Sequence, residues 1–308
     1  MEAMRQTALP PRLDTTEAGP VRRPAHAGTF YPAEPETLRA LVDDQLAAAA
    51  SRAPRFVHGA LAGLLVPHAG LVYSGPVAAV AWSVIGQEPP STIVIAGTNH
   101  WAPTFRGVGV WSSGAWQTPL GDVPVDAGLA RRIEALGPPF RSELDGHRPE
   151  HSIEVQLPFV VRVAPRARIV PLLVSPRTVA DTIRAGEWLG RLLAGLRAAG
   201  ERIVLVGSSD LAHYPDDALA REVDAEILEP ILELDAAEVA RREEAIRNRG
   251  APGLVCGLCG LEPVLLTLAA VEEMGARTGQ LLAEATSADV PIGDPDRVVG
   301  YAAVAFVG

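Results

Sequence analysis

The sequence predicts an α/β fold of three layers, a mixed central sheet with helices on both faces. Two observations carry that prediction. Four short runs, 61–66, 92–96, 168–173 and 202–206, are apolar at nearly every position, as in strands buried on both faces. Longer amphipathic segments alternate with them, and alternating strands and helices make layered α/β proteins. Neither repeats nor low-complexity tracts interrupt the pattern, so one domain is expected over 22–308, behind a disordered N-terminal tail over 1–21.

In chain order, a loop around His26 mixes small and aromatic residues and precedes a helix over 34–50. The strand 61–66 stops at Pro67, and a helix follows over 75–85. The strand 92–96 runs into Gly97, Thr98, Asn99 and His100. A short strand over 107–111 leads to a turn-rich linker over 112–121 and a helix over 125–136. The polar stretch 143–150 turns at Asp145 and Gly146, and a helix is expected to open at His151. The strand 168–173 precedes a helix over 179–198, which Gly200 stops. The strand 202–206 leads into the segment from Gly207 to His213. Helices are expected over 217–232, 236–249 and 261–274, with a glycine-rich break at 250–260. The last strands, 280–286 and 298–306, suit a sheet edge or an antiparallel pairing.

Composition narrows the function classes. With 27 basic and 37 acidic residues the net charge is -10, which argues against a general nucleic-acid binder. The two cysteines make no secreted disulfide framework. The first twenty residues lack a signal-peptide apolar run, and no uncharged apolar stretch is long enough to span a bilayer. A soluble cytoplasmic protein without membrane partners is expected. The phosphate loop of nucleotide-binding proteins and the GxSxG elbow of serine hydrolases are both absent.

The chemistry-bearing residues sit at strand ends. His68, His100 and His213 each follow a buried strand, and ligands of open α/β sheets collect at that edge. Imidazole and thiolate suit iron, copper or zinc better than magnesium or calcium. A site of two histidines and a thiolate would use His68, His100 and Cys259 and leave coordination positions open. Asp210 lies three residues before His213, so either can orient the other, and His213 can serve as a general base. Ser208 and Ser209 can donate to an anion; alternatively, Ser209 or Asp210 caps a helix. His147 and His151 are four apart, with Pro149 between them, and Glu154 can cap or pair one turn beyond His151. Cys256 and Cys259 form a lone CxxC; the helix after Cys259 favours its thiolate, and no second pair completes a zinc knuckle.

Six ordered stretches resemble the Memo family, whose bacterial and archaeal members are called AmmeMemoRadiSam system protein B. They are AHAGTFYP around His26, VPHAGLVYSG around His68, GTNHWAP around His100, EHSIEVQLPF around His151, SSDLAHY around His213 and CGLEPV from Cys259. The resemblance implies a fold similar to the class III extradiol dioxygenases. It implies metal ligands at His68, His100 and Cys259, a catalytic histidine at His213 with Asp210 beside it, and pocket histidines at His26 and His151. The CGxxP pattern selects Cys259 over Cys256. Iron or copper is the implied ion, with zinc also allowed by the donors, and an oxidoreductase role is implied. The dioxygenases carry a carboxylate where this chain has a thiolate, and Glu262, one helical turn from Cys259, is the nearby carboxylate to weigh. The alternative is a non-catalytic metal-handling module, or one binding a small molecule, peptide or protein in the retained cleft.

Overall fold

The computed structural model describes residues 19–50, 59–175 and 178–308. Most of the expected tail, residues 1–18, lies outside the described residues; its last positions do not behave as a tail, because Val21 opens the first strand.

The first half of the chain contains β1 (Val21–Arg22), α1 (Pro35–Ala50), β2 (Leu61–Val66), α2 (Leu71–Gln87), β3 (Thr92–Thr98), β4 (Gly107–Val110), β5 (Ala115–Thr118), β6 (Gly121–Pro124), α3 (Ala127–Glu134) and β7 (Phe140–Ser142). A 3-10 turn (Glu154–Gln156) then runs into α4 (Leu157–Val163). The second half contains β8 (Arg168–Ser175), α5 (Val179–Ala198), β9 (Ile203–Ser208), α6 (Asp217–Leu232), α7 (Ala236–Asn248), α8 (Leu261–Glu273), β10 (Thr278–Thr286) and β11 (Gly300–Val307).

Eight strands form one mixed sheet in the order β10-β11-β2-β9-β3-β8-β4-β7. The central four, β2, β9, β3 and β8, are mutually parallel. On one side β4 runs antiparallel to β8; on the other, β11 runs antiparallel to β2 and β10 antiparallel to β11. Both C-terminal strands are therefore antiparallel to their neighbours, with β10 at the edge.

Alternation along each strand divides the core into two layers. Ile93 and Ile95 of β3 pack with Leu38 and Val42 of α1, Trp82 of α2 and Phe159 of α4. Val94 and Ala96 face the opposite layer, where Leu129 of α3, Leu189 of α5, Ile227 of α6, Val239 of α7 and Leu265 of α8 lie. Helices thus cover both faces. The contact between α5 and α8 is close because Gly186 and Gly190, one turn apart, present no side chains. A Cβ on either would come within 2.5 or 2.4 Å of the α8 carbonyls of Leu266 and Ala270. That packing seats α8, whose N-terminal end follows Cys259.

Several boundaries depart from the sequence expectations. The 112–121 linker contains β5, which pairs with β6 and β1 in a separate three-stranded sheet. Its turn residues, Ser112, Ser113, Gly114 and Pro119, leave a strand too short to show an alternation. Three-residue β7 escapes detection for the same reason. Helix α2 starts at Leu71 and carries Pro76 inside it, because the Gly70 carbonyl already accepts from the Tyr73 and Ser74 amides. The helix expected from His151 begins only with the 3-10 turn at Glu154. Among the described residues, no helix is long and apolar enough to cross a membrane.

Candidate metal centre

Because β2, β9 and β3 are adjacent and parallel, their C-terminal ends meet at one sheet edge. His68 lies two residues beyond β2 and His100 two beyond β3, on either side of the Ser208–Ser209–Asp210 turn that leaves β9. Cys259 reaches the same edge from the loop before α8. One donor atom each from His68, His100 and Cys259 lie within 4.8 Å of one another. Sulfur Sγ of Cys259 is 3.1 Å from Nε2 of His68.

Hydrogen bonds determine which ring nitrogens are free. The Ser208 hydroxyl donates to the Ser152 carbonyl at 2.7 Å, so its oxygen is left to accept. Gln156 Nε2 donates to it at 3.1 Å, and His68 Nδ1 lies 3.1 Å away. Nδ1 of His68 therefore carries the proton, and Nε2 presents a lone pair toward Cys259. Burial, with the neighbouring His100 adding to it, holds the His68 pKa well below the usual histidine value, so the ring is neutral.

Glu150 does the same for His100. Its carboxylate, fully buried, accepts from His100 Nδ1 at 2.8 Å and from the main-chain amides of His100, His151 and Ser152 at 2.8 to 2.9 Å. Burial alone would raise this carboxyl. The hydrogen bond and charge of His100, then His151 and the Ser152 amide, outweigh it and keep Glu150 ionised. An ionised acceptor on Nδ1 selects the tautomer of the neutral His100 ring whose Nε2 is bare, the arrangement that orients metal-binding histidines. Glu150 also shares a potential donor cluster with His100 and His151. Four accepted hydrogen bonds already commit its oxygens, which makes it a brace for the two histidine loops. Glu150 was not singled out in the sequence. The signal available was a carboxylate directly preceding His151, but nothing local pointed to His100, fifty residues away.

The third cluster joins Asp210, His213 and Cys259. Asp210 does not hydrogen-bond His213. Its Oδ1 accepts from the His68 amide at 2.6 Å and the Ala69 amide at 3.2 Å, clamping the turn that carries His68. Burial raises the Asp210 carboxyl, with His213 pulling the other way. His213 Nδ1 donates to the Leu211 carbonyl at 3.0 Å, so in the neutral ring Nε2 is the acceptor. Neither Ser209 nor Asp210 caps a helix, since Asp216 caps α6. The Ser208 and Ser209 hydroxyls donate to main-chain carbonyls, which removes them as anion donors.

His151 stacks on His100 with ring centroids 4.4 Å apart and lies 5.4 Å from both His68 and His26. Its Nδ1 is buried without a hydrogen-bond partner, 3.4 Å from Glu150. Burial, then the charge of His68, pushes its pKa down to about 3. His26 Nε2 bonds the Pro149 carbonyl at 2.7 Å, outside the three clusters.

Other candidates face elsewhere. His147 is wedged against Trp111 and Trp116, with Nε2 on the Gly109 carbonyl. Glu154 pairs with Arg22 across 132 residues instead of serving its own helix. Cys256 and Glu262 belong to none of the donor clusters among the described residues. Burial, then Glu243, pushes the Cys256 thiol up to about 12. Cys259 precedes α8 as expected, yet burial and then Asp210 hold its thiol well above the ordinary value; the helix end does not prevail. A bound cation reverses that balance, because a coordinating thiol is deprotonated outright.

The fold and this edge define an α/β protein with a potential metal-coordinating cluster of two imidazoles and one sulfur. The family model described as Memo-like protein matches residues 22–305. A MEMO1 family protein of Methanopyrus kandleri is 36% identical over 291 residues, covering 92% of this chain and 98% of the relative. One from Pyrobaculum arsenaticum is 36% identical over 294 residues, covering 93% and 99%. A third, from Methanocaldococcus jannaschii, is 34% identical over 294 residues, covering 92% and 97%. The chain belongs to the Memo family.

Proposed function

We propose that this protein binds iron or copper, with zinc the third ion its donors suit, through His68, His100 and Cys259, and works as a non-haem metal-dependent oxidoreductase. The observation that supports this reading is the convergence of three donor atoms within 4.8 Å. The serine bonded to one histidine and the glutamate bonded to the other leave both Nε2 lone pairs free. Such donors favour a soft or borderline ion over a hard one. Bound there, the ion would supply Lewis acidity and redox chemistry.

The protein's own groups have separate tasks. His213 Nε2, its ring oriented by the Leu211 carbonyl, accepts and returns a proton. Asp210 keeps the His68 turn in register through two amides. His151, neutral and stacked on His100, lines the same edge as an acceptor. Likeness to the extradiol dioxygenases is part of the proposal for the fold; aromatic ring cleavage is not, because a thiolate stands in place of their carboxylate ligand.

Anaerobic loading of the purified protein with Fe(II), Cu(I) or Zn(II), followed by metal quantification and oxygen uptake with catechols and other reductants, tests the reading. One equivalent of iron or copper is expected. Failure of all three ions to bind stoichiometrically would end it. His213→Ala is expected to keep the metal while turnover falls by about 10²–10⁴-fold. A second reading, a peptide- or protein-binding module that retains the cleft, draws on Trp101, which is 54% exposed directly after His100. Equal ligand affinity with and without metal would favour it.

A further inference from the structure

The loops bearing the two histidines are each held by a buried carboxylate that grips the main chain: Asp210 for the His68 turn and Glu150 for the His100 turn. The loop bearing Cys259 has a counterpart on a helix, α7. Glu243 of α7 is 1% exposed, and its Oε2 accepts from the Gly257 amide at 2.8 Å and the Leu258 amide at 3.0 Å. These are the two residues immediately before Cys259. Its other oxygen accepts from Arg247 Nε at 2.6 Å. The approach depends on glycine: a Cβ on Gly257 would lie 2.8 Å from Glu243 Oε2 and 3.0 Å from Ile246 Cδ1. The segment from Gly250 to Gly260 contains no helix or strand. On the sheet side Cys256 bridges His213 and the Gly260 amide donates to Ser209 Oγ at 3.0 Å, and Glu243 holds Gly257 and Leu258 between them from the helix side. Burial raises the Glu243 carboxyl, with Arg247 and the Gly257 and Leu258 amides pulling the other way; the amides meet one acceptor oxygen.

We infer that Glu243 is the positioning residue for the Cys259 sulfur, fixing from α7 the loop that delivers it to the centre. The inference rests on the reading of Cys259 as a metal donor, and it concerns loop geometry that exists without any ion. Glu243 acts as an acceptor for the main chain. Glutamine can still present an oxygen to both amides, whereas alanine leaves two buried N–H groups bare. Arg247 is half exposed and lies on the far side of the carboxylate, so its contribution is secondary.

The test uses the full chain in a Cys256→Ser background, with two readouts. One is the rate at which a maleimide labels Cys259 in metal-free protein. The other is Co(II) affinity together with the thiolate-to-cobalt charge-transfer band. Glu243→Ala is expected to speed labelling about 10-fold and to weaken Co(II) binding on the order of 10–100-fold, the range for losing a group that orients a ligand. The charge-transfer band should also shift. Glu243→Gln is expected to remain within about threefold of the parent on both readouts, since the acceptor survives. Gly257→Ala keeps the carboxylate and pries the loop from it; it should reproduce the alanine phenotype, and it serves if Glu243→Ala does not fold. Unchanged labelling and cobalt binding in the folded variants would overturn the inference, as would a glutamine variant as impaired as the alanine one. A parent that shows no cobalt band, with labelling still responding as expected, would remove Cys259 as a donor and leave Glu243 as the residue that positions its loop.

Discussion

Cys259→Ser is expected to empty the centre of iron or copper, while Cys256→Ser leaves its occupancy nearly unchanged. The two cysteines are three residues apart but occupy different environments. Cys259 Sγ lies 3.1 Å from His68 Nε2 and shares two donor clusters, whereas Cys256 shares none. Serine keeps the volume but offers a hard oxygen that ionises far less readily than a thiol, and soft ions discriminate strongly between the two. The loss at Cys259 should exceed the roughly 10–100-fold that follows removal of an outer partner. Metal content after dialysis against a competing chelator measures the difference. Equal losses from both variants would reject the assignment of Cys259 as the sulfur donor.

Arg22→Ala should cause the largest loss of stability. Arg22 and Glu154 form an ion pair at 2.6 Å with side chains 1% and 0% exposed. The guanidinium also donates to the carbonyls of His147 and Glu150 and lies 4.2 Å over the Trp116 ring. Glu154 accepts from the Tyr31 hydroxyl and from the Ala25 and His26 amides. Removing one member strands a buried charge, at about 3–5 kcal/mol. Chemical denaturation at pH 7 measures it; a loss below about 1 kcal/mol would place the pair among solvent-screened ones.

The pH dependence has a definite sign. Burial alone would raise the Glu154 carboxyl, but Arg22, the Tyr31 hydroxyl and the amides hold it below its ordinary value. Its stabilisation is therefore complete above the unfolded value of about 4.3 and fades as pH falls through the lower folded value. Without Arg22, burial prevails and the Glu154 pKa rises above the unfolded value. The variant then regains stability as pH falls toward 4, while the parent changes little. The gap between them should narrow on acidification; a constant gap would contradict this account of Glu154.

Parts of this site were legible in the chain as written. Buried strands are continuous apolar runs, and the helices over 179–198 and 217–232 appear at the positions their amphipathic patterns predicted. His68 and His100 stand just past two such runs, so the topology of a parallel sheet was enough to expect them at one edge. The Asp210–His213 segment was read through a local spacing that suggested a mutual contact. Its carboxylate instead holds the main chain of His68, across 142 residues. Glu150 and Arg22 were illegible as partners for the same reason, since their hydrogen bonds connect positions 50 and 132 residues apart.

The sequence by itself determined the α/β class, most of the long elements, the donor types available and the family. Those depend on the period of burial along the chain and on residue chemistry, which are local properties. The tertiary structure alone decided the strand order, which ring nitrogens hydrogen-bond to the protein and which carboxylates hold the loops. The physical reason is that a hydrogen bond or a shared donor position depends on distances of a few ångströms, and those exist only after the sheet has brought distant turns to one edge.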